Sequence, residues 1–288
     1  MYHVLLLAAL GQAAPELPSH DRNAVLRASI EEGLAVEGRE RLPEPTFRDG
    51  DSAEAQRAAL VEVAGSKRGA DEMLQASVSA PHRLRLRDRK VEGAVVRSGD
   101  LYFVLRGVDL DAIDPAEALR GSRGESVEAA NMRFQVRLLT PEEAPEISPP
   151  PAEGREWLSH SSGRLLDRIA VESTDRVVAS RSADSLILAS RTDPAFGIDP
   201  PLGNRWSTIK LTATGDVTGP PSPYLGGLGY VKLTRLEGEK DAVLVEAHFA
   251  FAEPTAWFDG APILRSKLGL IAQDQVRRMR RELLKPRP

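Results

Sequence analysis

The sequence predicts an α+β protein: antiparallel sheets packed against helices, in two domains, the second ending in a long amphipathic C-terminal helix. Three observations lead there. Leu264, Leu268, Ile271, Ala272, Val276, Met279 and Leu283 recur at the three-and-four spacing of one helical stripe. The segments before them alternate with a period of two, as half-buried strands do. Five prolines and four glutamates crowd the stretch from Thr140 to Gly154, a composition that favours an extended spacer between two patterned halves.

The resulting division is a signal-like segment at 1–13, an N-terminal α+β domain at 20–140, a proline-rich linker at 141–153 and a C-terminal α+β domain at 154–285. Val4 to Leu10 is apolar and Gly11-Gln12-Ala13 offers small residues for cleavage, so export to the periplasm or exterior is expected. The front end carries only the terminal amine and His3, which leaves a cytoplasmic alternative open. No later stretch approaches the ~20 apolar residues that a spanning helix needs. A net charge of −4 gives no global attraction to nucleic acid, and the absence of cysteine removes disulfides, thiolate metal sites and thiol nucleophiles.

In chain order, Asp21–Glu32 has helical spacing and stops at Gly33. Ser52 is placed to cap a second helix that Gly65 ends, and a third is expected over Asp71–Ser77. From Pro81 the period changes to two. Leu84 and Leu86 alternate with Arg83, Arg85, Arg87 and Arg89, and Val91–Arg97 and Leu101–Val108 are expected to form a hairpin around Ser98-Gly99-Asp100. Asp114-Pro115-Ala116-Glu117 opens a short helix as a capping box, and Asn131–Leu139 reads as a strand.

In the second half, Glu153–Val171 reads as a helix carrying Trp157, Leu158, Leu165, Leu166 and Ile169, followed by a strand at Ser185–Ala189. Further strands are expected at Ser207–Thr214, Tyr230–Leu236 and Val243–Phe251. Each should have a dry face and a solvated one. Asp259 suits the N-cap of the closing helix, with Phe258 and Ile263 as a hydrophobic staple. This order of elements resembles a helix-grip arrangement, in which a curved sheet wraps a C-terminal helix around an apolar cavity. The words Arg97-Ser-Gly-Asp100 and Arg181-Ser-Ala-Asp184, each followed by an Ile-Asp-Pro, hint at a duplication.

Candidate chemistry is sparse. Glu246 and His248 face one way, with Tyr230 and Lys232 on the neighbouring strand, so these four form the expected ligand surface or, failing that, a set of cross-strand ion pairs. His160, Ser161, Ser162 and Asp167 have the residue types of a hydrolytic triad without its usual glycine-flanked serine. Arg83, Arg85, Arg87, Arg133 and Arg137 could hold an anion, but no aromatics interleave for base stacking. No cofactor, metal set or catalytic constellation is indicated. The functional expectation is a non-enzymatic exported module that binds a small amphiphile or an envelope protein. The rivals are a hydrolase using His248 or His160, and a polyanion binder acting through the arginines. A cavity beneath the closing helix would favour a small ligand; a solid core would favour a protein partner.

Overall fold

The computed structural model describes residues 16–120, 127–144, 147 and 150–283. The signal-like segment 1–13 lies outside them, as do Pro145, Pro149 and Leu284.

Local capping sets the first helices. Asn23 accepts from the amide of Leu26 at the start of α1 (Ala24–Glu31). Ser52 accepts from Ala55 at the start of α2 (Ala53–Ala64), and Gly65, at φ 81°, ends it. Ser66 caps α3 (Lys67–Met73), which begins earlier than the sequence suggested. Asp114 accepts from Ala116 ahead of α4 (Pro115–Arg120).

The strands are β1 (Arg83–Val91), β2 (Ala94–Arg106), β3 (Val127–Ala129), β4 (Met132–Leu138), β5 (Glu156–Leu165) and β6 (Ile169–Arg181). After them come β7 (Ser185–Thr192), β8 (Arg205–Thr212), β9 (Gly215–Thr218), β10 (Ser222–Pro223), β11 (Gly227–Arg235) and β12 (Ala242–Pro254). Their order is β1-β2-β12-β11-β7-β6-β5-β4-β3, antiparallel throughout, with β8 branching from the start of β6 and carrying β9 and β10. A short helix, α5 (Thr255–Phe258), then turns the chain into α6 (Ile263–Leu283).

Helix α6 crosses the inner face of this sheet on the stripe that its spacing implied. Ala272, Val276 and Met279 pack with Phe103, Val231 and Val245, and Leu264, Leu268 and Ile271 pack with Phe249, Phe251 and Trp257. The outer face is covered too. Val25 and Leu26 of α1 meet Tyr230, Ile187 and Ala250, while Leu60, Val63 and Met73 of α2 and α3 meet Tyr102, Val104 and Leu244. Apolar residues on both faces of β2, β11 and β12 require two covering layers.

Five further expectations change. The strands on either side of the proline-rich stretch join one sheet instead of one sheet per half, because β2 pairs with β12 along its whole length. The proline stretch itself closes the β4–β5 hairpin, with the amide of Leu139 donating to Leu158. Residues 154–171 are no helix: β5 and β6 form a hairpin turning at Leu166 and Asp167, both left-handed, at φ 53° and 52°. Asp259 ends α5 in a left-handed conformation, at φ 53°, instead of capping α6. Finally, Ser98-Gly99-Asp100 lies in mid-strand, and the turn falls at Glu92-Gly93.

Gly99 is there for close packing, since a Cβ would sit 2.6 Å from the Phe249 ring and 2.8 Å from Leu86. Gly99→Ala is therefore expected to lower unfolding free energy by about 1–3 kcal/mol, as overpacking does. A surface turn would leave the change within about 0.5 kcal/mol. Denaturant titration separates the two outcomes.

Candidate functional site

The inward positions of β5, β6 and β7 carry polar residues where a packed core would carry apolar ones. Ser161 on β5, Ser173 and Asp175 on β6, and Ser190 and Thr192 on β7 all face α6. Beneath the first half of α6 they form the floor of a cavity of about 70 Å³ that opens to solvent. Leu264, Leu268 and Trp257 roof it, and Met132, Phe134, Leu165 and Phe251 wall it.

Two glycines shape this space. A Cβ on Gly163 would meet the Phe134 ring at 2.4 Å, so glycine lets that ring lie across β5 as a wall. Thr192 Oγ1 accepts from the Gly227 amide at 3.0 Å and donates to Asp175 Oδ1 at 2.8 Å. The hydroxyls of Ser161 and Ser173 pair at 2.9 Å. Burial pushes the Asp175 carboxyl and the Tyr224 phenol upward. Tyr224 stacks on Trp257, with centroids 5.7 Å apart, and the Trp257 indole nitrogen is buried without a hydrogen-bond partner.

The four side chains expected to form a ligand surface lie on the opposite, outer face. That face is not solvated: Tyr230, Glu246 and His248 are 0% exposed and Lys232 is 3% exposed. The segment Pro43–Asp49 covers them and takes their hydrogen bonds. Glu246 accepts from the amides of Thr46 and Phe47 at 2.9 and 3.3 Å. The Lys232 ammonium reaches Phe47 O at 2.8 Å and Asp49 at 2.6 Å. Tyr230 donates to Pro43 O at 2.8 Å. His248 sits between Asp100, at 2.8 Å, and Glu246, at 3.4 Å, with the rings of Tyr102 and Tyr230 beside it. Sequence reasoning missed Asp100, which was assigned to a hairpin turn, and Asp49, whose partner Lys232 lies 183 residues away.

His160 does not meet a serine nucleophile. It is buried on the outer face against the Thr174 hydroxyl at 3.0 Å, while Ser161 points into the cavity and Asp167 pairs with Arg164. The arginines do not form one surface, since β1 and β4 are separated by six strands. Arg83 donates to Ala64 O, Arg87 pairs with Asp100, Arg133 with Glu128 at 3.7 Å and Arg137 with Glu143 at 2.6 Å; Arg85 is exposed. Among the described residues, no group of acids and histidines is arranged to hold a metal, and no helix is long and apolar enough to cross a membrane.

The outer network has a pH signature. Burial works against ionised Asp100 and Asp49, yet hydrogen bonds from His248 and Arg87 to the first, and from Lys232 and two serines to the second, bring each carboxyl down to about 2. Groups lowered on folding contribute stability that is present above the usual 3.8 and lost as pH falls towards 2. For His248, burial alone would lower the value, but its two carboxylate partners outweigh burial and raise it. Its contribution is full below 6.5 and fades as pH rises past the raised value. The denaturation midpoint should thus drop on both sides of a neutral plateau, and Asp100→Asn should flatten both limbs. Unchanged limbs in that variant would remove the network from the account.

No family model matches the chain, and no curated protein matches it significantly. Among solved structures it is similar to a STAR-related lipid transfer protein fragment from Xanthomonas axonopodis. The identity is 12%, over 69% of this chain and 98% of that one, with a TM-score of 0.37. It is also similar to the lipid transfer and protein localization domain of human StarD13, at 9% identity over 73% of this chain and 88% of that one, with a TM-score of 0.40.

Proposed function

We propose that this chain is a non-enzymatic binding module that holds a small amphiphile between α6 and the inner face of the sheet. The observation that carries this reading is the division of the cavity wall. Leucine and aromatic side chains form the roof and sides, while hydroxyls and one carboxylate form the floor. An apolar ligand would take water from the hydroxyls and carboxyl of the floor and give them no further partner in return. A wholly polar one would waste the roof. A molecule apolar at one end and polar at the other satisfies both. The open space under α6 also favours a small ligand over an envelope protein as the occupant. Export remains part of the proposal on the strength of the apolar run Val4–Leu10 alone.

Native mass spectrometry of the protein purified from its source compartment should show a small organic mass bound to the folded chain. Leu268→Trp, which fills the roof of the cavity, should weaken binding of that mass about tenfold or more while far-ultraviolet dichroism stays unchanged. Equal retention by a folded Leu268→Trp protein would place the ligand elsewhere.

A further inference from the structure

We infer that the polar end of the ligand is a protonated amine, received by the carboxylate of Asp175; this rests on the cavity being the binding site. Among the described residues that line the space, Asp175 is the only aspartate or glutamate, and no lysine, arginine or histidine lines it with Asp175. Its residue is 8% exposed, so water does little to solvate the charge. The neighbouring cation, Arg176, is held by Asp193 at 3.1 Å and by Glu156 at 3.5 Å. Alternation along β6 turns Arg176 to the outer face, away from the cavity.

Each class of head group meets this floor differently. A carboxylate or phosphate would place a second negative charge beside Asp175 where the dielectric is low, with no lysine, arginine or histidine among the described lining residues to offset it. An alcohol would find hydrogen bonds among the serines and with Asp175, whose carboxyl burial pushes towards its neutral form, but would bring nothing that favours the ionised form. An ammonium supplies the missing charge and three donors. Its acceptors are already placed: Thr192 holds Asp175 Oδ1 at 2.8 Å, and the Ser161–Ser173 pair adds hydroxyl oxygens on the same floor. The apolar roof then takes the chain that the amine terminates.

The test uses three probes with one tail, dodecylamine, dodecanol and dodecanoate, each titrated into the full-length protein by calorimetry below its aggregation concentration. Dodecylamine is expected to bind about tenfold or more tighter than dodecanol, as a charge-assisted hydrogen bond would give, with dodecanoate weakest. Asp175→Asn should erase the preference for dodecylamine over dodecanol. Dodecanoate binding tightest, or an amine preference that survives Asp175→Asn, overturns the amine assignment while dodecanol binding still supports the cavity. No binding by any of the three overturns both. Should Asp175→Asn fail to fold, the ranking of the three probes on the unaltered protein decides the matter.

Discussion

The pairing of β2 with β12, thirteen residues long on each strand, is the contact on which the rest of the molecule depends. It joins strands that lie more than a hundred residues apart in the chain, and its register puts three pairs in place at once. Asp100 falls opposite His248, Tyr102 opposite Glu246, and Gly99 opposite Phe249. The first two pairs seed the buried polar network of the outer face. The third lets an aromatic ring lie flat over the sheet where α6 crosses it. A slip by one residue would exchange the two faces and destroy both arrangements.

The two faces treat polar groups in different ways, and that contrast separates scaffold from site. On the outer face Glu246, His248, Lys232 and Tyr230 find their partners within the protein, many of them on the Pro43–Asp49 segment. A network satisfied in this way fixes one docking geometry for the N-terminal layer, since moving that layer would strand buried charges. On the inner face, Asp175 and the serines border open space instead. Polar groups facing a cavity are available to whatever enters it. Ser161 and Ser173 hold each other and Thr192 holds Asp175, all at the border of that space.

The parts of the fold legible in the chain are those where one local rule dominates. The stripe on α6 survives because every member meets the sheet, from Leu264 to Met279. Ser52 and Gly65 bound α2 because capping is decided within a turn of the helix. The strand β12 was readable, but its partner face was not. Glu246 and His248 look like solvated residues until a segment two hundred positions upstream is seen lying on them. The hairpin β5–β6 was misread for a related reason. Its inward positions include Ser159, Ser161, Gly163, Ser173 and Asp175, so the apolar alternation that marks a strand is missing where the cavity needs polarity.

The sequence by itself determined the class of the protein, the closing helix with its buried stripe, the caps of α2 and the strands β1, β4, β7, β8, β11 and β12. Each of these follows from side-chain spacing or from hydrogen bonds made within a few residues. Tertiary structure alone decided that the two halves share one sheet, that the outer face is roofed, and that the inner face leaves room under α6. Those outcomes depend on which distant strand supplies the partner for each backbone amide and carbonyl, and on how much volume the facing side chains leave unfilled. Neither quantity is a property of any one stretch of chain.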